Sequence, residues 1–339
     1  MVLDQIDVPV VLAPLAGGPS TPELTAAVAG AGGLGFLAGG YLSAAELGGR
    51  IAHTRELTSD PIGINLFAPG PGPAMPARYA AFAARFREWA GAEGVPVGEA
   101  RDCDDDWEAK LELLRTQPPA VVSFTFGCPT AEVVARLRSA GTEVWVSVTS
   151  PQEAIQAERG GAQALVVQGS EAGGHRASFD DRPGDPIYAL LPLVSLVRAV
   201  VGLPLIASGG IATPESVAAV RAAGAVAAQA GTAFLLAPEA GTSPAHRDAV
   251  RGAAPTVLTR AFTGRLARGI RNRFIDEHGE GAPAAYPELH YLTAPMRKAA
   301  RERGDAGLIN LWAGEAHTLA RAQPAAEIVS WLGGSRDRR

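Results

Sequence analysis

The chain has 339 residues, 47% of them hydrophobic, and a formal net charge of −5 spread over mixed acidic and basic positions. This length accommodates one large barrel with an appendage, or two ordinary domains. The charge pattern argues against a nucleic-acid partner and a basic membrane-binding patch. Two cysteines, Cys103 and Cys128, are too few for a disulfide scaffold or a CxxC metal site. With neither a signal-peptide pattern nor an apolar run of about 18 residues, the sequence predicts a cytoplasmic protein.

Short β-branched runs alternate with Ala-rich segments of helical period along the first 250 residues. Strands are predicted at residues 8–12, 34–37, 61–66, 121–124, 144–148, 165–167, 205–207 and 227–229. Each is followed by a predicted helix, the last of which opens at residues 232–236. Eight such units in about 240 residues predict an α/β fold, a closed (β/α)₈ TIM barrel. An open doubly wound sheet is the alternative, and it is disfavoured because no GxGxxG follows the first strand.

The βα alternation stops near residue 250. We therefore expect residues 1–250 to form the barrel and residues 251–305 to form a small helical cap that contributes to substrate binding. Residues 306–339 are predicted to be C-terminal helices that pack on the barrel, with an amphipathic helix over residues 308–322.

Two glycine-containing motifs follow the seventh and eighth predicted strands. Gly209 and Gly210 form the first, and the second runs from Gln229 through Ala230 and Gly231 to Thr232. Glycines at such turns let backbone N–H groups approach an anion, and these two loops are the usual phosphate site of a TIM barrel. The motifs therefore predict a phosphate site. The alternative is that the glycines only make tight turns.

The sixth predicted strand leads into a third motif. Gln168 ends the strand, Gly173 and Gly174 allow close approach of a flat ligand, and His175 follows. The Gln168 amide offers both a donor and an acceptor to a ring edge such as that of an isoalloxazine. His175 is the candidate catalytic group, as an acid, a base or a hydrogen-bond donor. A merely solvated loop histidine is the alternative.

Two weaker signals follow other strands. Ala13, Pro14 and Leu15 come after the first strand, where small residues suit a flat aromatic face, and Asn65 ends the third strand as a candidate side-chain donor. Asp104 to Asp106 are interpreted as a solvated helix start, and Cys128 as a bystander. The remaining candidates, expected to form salt bridges in the cap or to be solvated, are Arg268, Arg271 and Arg273.

With these motifs in place, the chain resembles the nitronate monooxygenase family, whose superfamily includes FMN-dependent enoyl-acyl-carrier-protein reductases. The resemblance rests on residues 13–18, 63–67, 123–127, 168–175, 207–211 and 229–232, with 259–268 and 310–314 in the cap. It implies FMN bound by Asn65, Gln168, Gly173, Gly210 and residues 229–232, with the backbone of residues 13–15 near the reactive edge of the flavin. The implied reaction is oxidation of a propionate or alkyl nitronate by O₂ to a carbonyl compound and nitrite.

One departure from the family pattern concerns the proton-abstracting base. Class I members carry a histidine at the start of the helix after the fifth strand, where this chain has Gln152 and Glu153. The resemblance therefore implies a class II-like enzyme that acts on the preformed nitronate anion. His175 is shared with the enoyl reductases and does not separate the two activities.

Two other functions stay open from the sequence. One is an FMN-dependent NAD(P)H reductase acting on an enoyl thioester or a quinone. The other is a barrel that binds FMN weakly or not at all. The physiological substrate and the oligomeric state are also open, a homodimer being one alternative, and no metal site is expected.

Overall fold

A barrel of eight parallel strands forms the body of the protein in a computed structural model that describes residues 1–70, 76–101 and 103–334. The described residues form eleven strands, eight in the barrel and three (β7, β10 and β11) in a separate sheet. They are β1 Val10–Leu12, β2 Gly35–Ala38, β3 Ile62–Phe67, β4 Val121–Thr125, β5 Glu143–Val148, β6 Ala164–Gln168, β7 Gly174–His175, β8 Leu205–Ser208, β9 Ala227–Ala230, β10 Thr256–Thr259 and β11 Ala267–Ile270. The barrel order is β1-β9-β8-β6-β5-β4-β3-β2. Backbone hydrogen bonds from Leu12 N to Leu34 O (2.9 Å) and from Leu34 N to Val10 O (3.0 Å) close it. The predicted TIM barrel is confirmed.

Twelve α-helices are seen in the described residues. They are α1 Pro22–Gly30, α2 Ala44–Leu57, α3 Pro76–Glu93, α4 Trp107–Thr116, α5 Ala131–Ser139, α6 Pro151–Arg159, α7 Leu190–Arg198, α8 Pro214–Ala222, α9 Pro244–Arg251, α10 Arg273–His278, α11 Glu288–Arg303 and α12 Ala325–Leu332. Hydroxyl side chains begin several of them: Thr21, Ser150 and Thr213 each accept the N–H of the residue three positions on. Among the helices of the described residues, none combines the length and the apolar character needed to span a bilayer.

Side chains fill the end of the barrel where its strands begin. Phe36 and Trp145, both with no exposed surface, lie with their ring centroids 5.8 Å apart. Gly63 makes room for them, because a Cβ there would come within 2.3 Å of the Phe36 ring. The opposite end, where strands give way to helices, is the end left available for a ligand.

The cap differs from the expected all-helical segment. β10 and β11 form an antiparallel hairpin, and β7 pairs with β11 to make a three-stranded sheet. His175 lies opposite Ala267 in that sheet. A four-residue strand gives too short an alternation to be recognised from sequence, and its partner β7 lies some 90 residues away in the chain.

The predictions of two α-helices are wrong. Residues 232–236 open no α-helix; Thr232–Phe234 is a 3₁₀ turn, in which Phe234 N donates to Gly231 O. Residues 308–322 contain only the last residue of one 3₁₀ turn, Ala306–Leu308, and the whole of another, His317–Leu319. The extended stretch between them pairs instead with the cap sheet through Trp312 and Gly269, so tertiary pairing overrides the helical period.

Candidate functional site

The carboxyl ends of the barrel strands open into a cavity of about 380 Å³. All fourteen residues that the sequence singled out for the site line it: Ala13, Pro14, Leu15, Asn65, Gln168, Gly173, Gly174, His175, Gly209, Gly210, Gln229, Ala230, Gly231 and Thr232. They come from five different βα loops, and the barrel brings them together because parallel strands all end at the same face.

The loops after β8 and β9 form one wall of the cavity, here named the glycine wall: Gly209, Gly210, Gly231 and Thr232. Gly209 has φ +119° and Gly210 φ +67°, conformations that residues with a Cβ rarely adopt. The backbone N–H groups of all four make no hydrogen bond to another described residue. Unpaired N–H groups at a cavity lined by glycine suit an anion such as a phosphate.

The C-terminal segment closes over this wall. The Thr232 hydroxyl accepts a hydrogen bond from Gly314 N at 2.9 Å, and Glu315 N donates to Glu171 O. A Cβ on Gly173 would come within 2.5 Å of Gly314 N. Gly173 is therefore needed so that the loop after β6 can lie directly against the segment that covers the glycine wall.

Two amide side chains line the cavity with part of their hydrogen-bonding capacity already used. Gln168 Nε2 donates to His175 O at 3.0 Å and its Oε1 accepts from Ala177 N at 2.8 Å, which fixes the loop after β6. Asn65 Nδ2 donates to Ser123 O at 3.1 Å and also contacts Thr125 Oγ1. Because a carbonyl oxygen only accepts, the Asn65 nitrogen must face β4. Asn65 therefore offers a ligand its oxygen, as an acceptor rather than the expected donor.

His175 is held in a setting that keeps it neutral. Its Nε2 lies 2.9 Å from Thr263 Oγ1, and its ring contacts Phe126 edge-on at 5.7 Å. Burial, followed by the charges of Arg265 and Arg297, lowers the pKa of His175 to about 3. A base of such low pKa is poorly matched to abstracting a proton at neutral pH, so hydrogen bonding to a ligand is the role its setting favours.

A second wall of the cavity is built by α11 of the cap together with the turn after β2, and it was not predicted. It comprises Tyr41, His290, Arg297 and Arg301 and is here named the cap wall. The Tyr41 and His290 rings stack with centroids 4.2 Å apart, and Arg297 donates to His290 O at 2.8 Å. The only local sequence signal is the spacing of Arg297 and Arg301, one helical turn apart, and this pattern is equally typical of a solvated helix face.

The cavity is positively charged. Arg297 is 5% exposed, and in the described chain its side chain donates to Thr293 and His290, while that of Arg301 donates to Asn310, so neither makes a hydrogen bond to a carboxylate. No aspartate or glutamate is among the described residues that line the cavity. Burial lowers the pKa of Arg297 to about 10, which still leaves it charged at neutral pH. An unpaired buried guanidinium favours a negatively charged ligand.

The residues at the start of α6, where class I members carry a histidine, do not reach the cavity. Neither Gln152 nor Glu153 lines it. Glu153 accepts hydrogen bonds from Thr149 N at 2.5 Å and from Phe179 N at 2.8 Å, and burial raises its pKa. Its two oxygens therefore hold loops together, and no base is offered to a ligand from this helix.

The remaining residues with an interpretation from sequence lie outside the cavity. Burial raises the pKa of the Cys128 thiol to about 11, which agrees with a bystander role. Ion pairs form as expected between Arg268 and Glu315, between Arg271 and Asp276, and between Arg273 and Glu93. Asp105 is wrongly interpreted as solvated, because it is paired with the buried Lys110.

Comparison with known proteins identifies the family of this chain. Residues 2–333 match the family model described as nitronate monooxygenase. A nitronate monooxygenase of Pseudomonas aeruginosa is 41% identical, over 96% of this chain and 95% of its own length. A probable nitronate monooxygenase of Staphylococcus aureus is 37% identical, over 96% of this chain and 93% of its own.

Solved structures show the same likeness in three dimensions. A nitroalkane oxidase from Streptomyces ansochromogenes superimposes with a TM-score of 0.96 at 46% identity, covering 98% of this chain and 97% of its own. FabK from Thermotoga maritima superimposes with a TM-score of 0.76 at 26% identity, covering 98% and 93%. The match over nearly the whole length, together with the cavity described above, shows that this chain is an oxidoreductase and belongs to the nitronate monooxygenase family.

Proposed function

We propose that this enzyme binds FMN and oxidises alkyl nitronates with O₂ to a carbonyl compound and nitrite. The observation that carries the proposal is the charge of the cavity, whose described lining residues include two arginines and a histidine that stays neutral but no carboxylate. This combination stabilises an anion that arrives already formed. It is unsuited to deprotonating a neutral nitroalkane, because none of the side chains described at the cavity has both the position and the pKa of such a base.

The residues present fit FMN. The glycine wall supplies unpaired N–H groups for the phosphate, and Gln168 and Asn65 supply a donor and acceptors for the edge of a flat ring. Gly231 lies against Leu15, whose Cδ2 would be 3.0 Å from an added Cβ, so the loops after β1 and β9 are in close contact. Bound FMN would supply the redox chemistry, taking electrons from the nitronate and passing them to O₂.

The side chains of the cap wall then act on the substrate. We assign Arg297 to hold the anionic nitro group, because its guanidinium is buried, charged and without a carboxylate partner among the described residues. His175 contributes a hydrogen bond through its Nδ1, because its Nε2 is engaged by Thr263.

We also assign the enzyme to the cytosol, where the free thiols Cys103 and Cys128 are stable. A homodimer stays a prediction.

Anaerobic mixing tests the function. The purified enzyme, loaded with FMN, is mixed with propyl-2-nitronate in a stopped-flow instrument, and in a parallel experiment with NADH. We expect rapid loss of the oxidised flavin absorbance with nitronate and no comparable loss with NADH. Bleaching by NADH alone would contradict the proposal and favour an NAD(P)H-dependent reductase. A protein that stays colourless after incubation with FMN would remove the flavin from the proposal.

A further inference from the structure

A buried ion pair lies beside the cavity, in the acidic segment before α4. Asp105 Oδ2 is 2.8 Å from Lys110 Nζ, and the side chains are 18% and 1% exposed. Removing two charges from water costs free energy that their attraction seldom recovers in full. The pair is therefore poorly explained as a source of stability. The hydrogen bond that its carboxylate accepts from the backbone points to a different role.

Asp105 and Asp106 hold the turn between β2 and α2. Asp105 Oδ1 accepts the backbone N–H of Tyr41 at 2.9 Å, and Asp106 Oδ2 accepts that of Ala44 at 3.0 Å. Tyr41 has φ +68°, in the left-handed region that costs an L-residue free energy unless its surroundings impose it. The hydrogen bond that the Tyr41 N–H donates to Asp105 is a contact that imposes it.

The turn places the Tyr41 ring in the cap wall. The ring lies edge-on to Phe67 at 5.2 Å and stacks on His290, the residue whose carbonyl accepts from Arg297. Phe67 supports the turn from the barrel side, since a Cβ on Gly40 would come within 2.3 Å of its ring. A continuous series of contacts thus runs from Lys110 through Asp105 and Tyr41 to the arginine that we assign to the substrate.

We propose that Asp105, through the hydrogen bond that its Oδ1 accepts, is a positioning residue that holds Tyr41 in its left-handed conformation and thereby fixes His290 and Arg297 at the substrate end of the cavity. Its effect on substrate rests on the function proposed above, whereas its hold on the turn does not. The pair touches neither cofactor nor substrate, because Asp105 and Lys110 do not line the cavity.

The test uses two double variants. D105A/K110M removes both charges together with the acceptor for Tyr41 N–H. D105N/K110M also removes both charges but retains an oxygen in place of Asp105 Oδ1. E112Q/R115M is the matched control, because it neutralises an exposed ion pair in the same helix. Hydrogen exchange of peptides covering residues 39–45 and steady-state KM and kcat with nitronate are measured on FMN-loaded protein.

We expect D105A/K110M to exchange about tenfold faster in this turn and to raise KM about tenfold with kcat nearly unchanged, the effect of one lost hydrogen bond. D105N/K110M and E112Q/R115M should stay close to the wild type in both measurements. Unchanged exchange in D105A/K110M, or faster exchange with a wild-type KM, would overturn the proposal. Equal damage in D105N/K110M would overturn it too.

Two other results need a separate interpretation: a D105A/K110M protein that does not fold, and a wild-type enzyme that does not act on nitronate. If D105A/K110M does not fold, Tyr41→Gly takes its place, because glycine accepts the left-handed backbone and only the ring is lost; a wild-type KM in Y41G would then overturn the proposal. If the wild-type enzyme turns over no nitronate, the proposed function fails, and the exchange measurement still decides whether Asp105 holds the turn.

Discussion

The glycine wall and the cap wall enclose the same cavity and are built in different ways. The glycine wall presents backbone N–H groups from two loops that follow neighbouring strands, and it carries no charged side chain. The cap wall presents aromatic and guanidinium side chains from α11 and from the turn after β2, segments some 250 residues apart. The difference suits the two proposed ligands, an invariant phosphate on one side and a variable anionic substrate on the other.

The largest effect should come from filling the glycine wall. Gly209→Val places a β-branched residue at φ +119°, and its Cβ lies 3.0 Å from Ala172 N. We expect FMN affinity to fall by at least about 100-fold. This corresponds to a loss of about 3 kcal/mol of binding free energy, from backbone strain and from lost contacts to N–H groups. Titration of the apoprotein with FMN, followed by flavin fluorescence, measures it.

Gly49→Ala is the control for this substitution. Gly49 lies within α2 with no atom within 4 Å of an added Cβ, so alanine there should stabilise the helix slightly and leave FMN binding unchanged. Wild-type affinity in G209V would show that the phosphate is not held by this wall.

The next effect distinguishes the cap wall from the glycine wall. Arg297→Met should raise KM for nitronate about 30-fold, because a charge-assisted hydrogen bond is lost, with FMN content unchanged. Arg303→Met is the matched control, since Arg303 is exposed on the same helix. Loss of FMN in R297M with KM unaffected would mean that the two walls do not divide the ligands as we propose.

These two walls also mark what the sequence predicted and what it did not. Glycines after strands carry a local signal, because a tight turn and an anion site both require them, and every residue of the glycine wall was identified in advance. Tyr41 and His290 are ordinary in their own segments and become neighbours only through the cap. Likewise β7 and β11 are too short to be recognised as strands from their own residues, and they are defined by their pairing. The ion pair between Asp105 and Lys110 was not predicted, because it depends on how α4 is placed.

A smaller effect is expected at Glu153. Glu153→Gln should change kcat by less than about threefold, because the carboxylate does not line the cavity, and should lower stability by about 1 kcal/mol through a weakened hydrogen bond to Thr149 or Phe179. Arg159→Gln, which changes an exposed charged residue of the same helix, is the comparison. A loss of kcat by a factor of about 100 or more would restore α6 as the source of a base.

The smallest effect concerns pH. The pKa of His175 is about 3 in the folded chain, against about 6.5 in the unfolded chain. Between these values the unfolded chain binds the extra proton, so stability rises with pH across this window and levels off above it. The Tm of wild type should fall from pH 7 to pH 5, and less steeply in H175N; His246, whose pKa is about 4, contributes equally to both proteins.

Activity should not follow that titration. We expect kcat/KM for preformed nitronate to vary by less than about twofold between pH 6 and 8, because His175 is neutral throughout and Arg297 stays charged. A bell-shaped or sigmoid profile centred in this range would require a titrating group at the cavity, and would argue for proton abstraction from a neutral nitroalkane.

The bond between Thr232 and Gly314 has a consequence for the order of folding. The hydroxyl of the glycine wall is engaged by a residue 82 positions later in the chain, and β1 must wait for β9 before the barrel can close. Contacts between such distant parts of a chain form slowly, because the chain between them must first be brought together. We therefore expect cofactor binding to appear late in refolding, after the segment around Gly314 has folded across the mouth of the barrel.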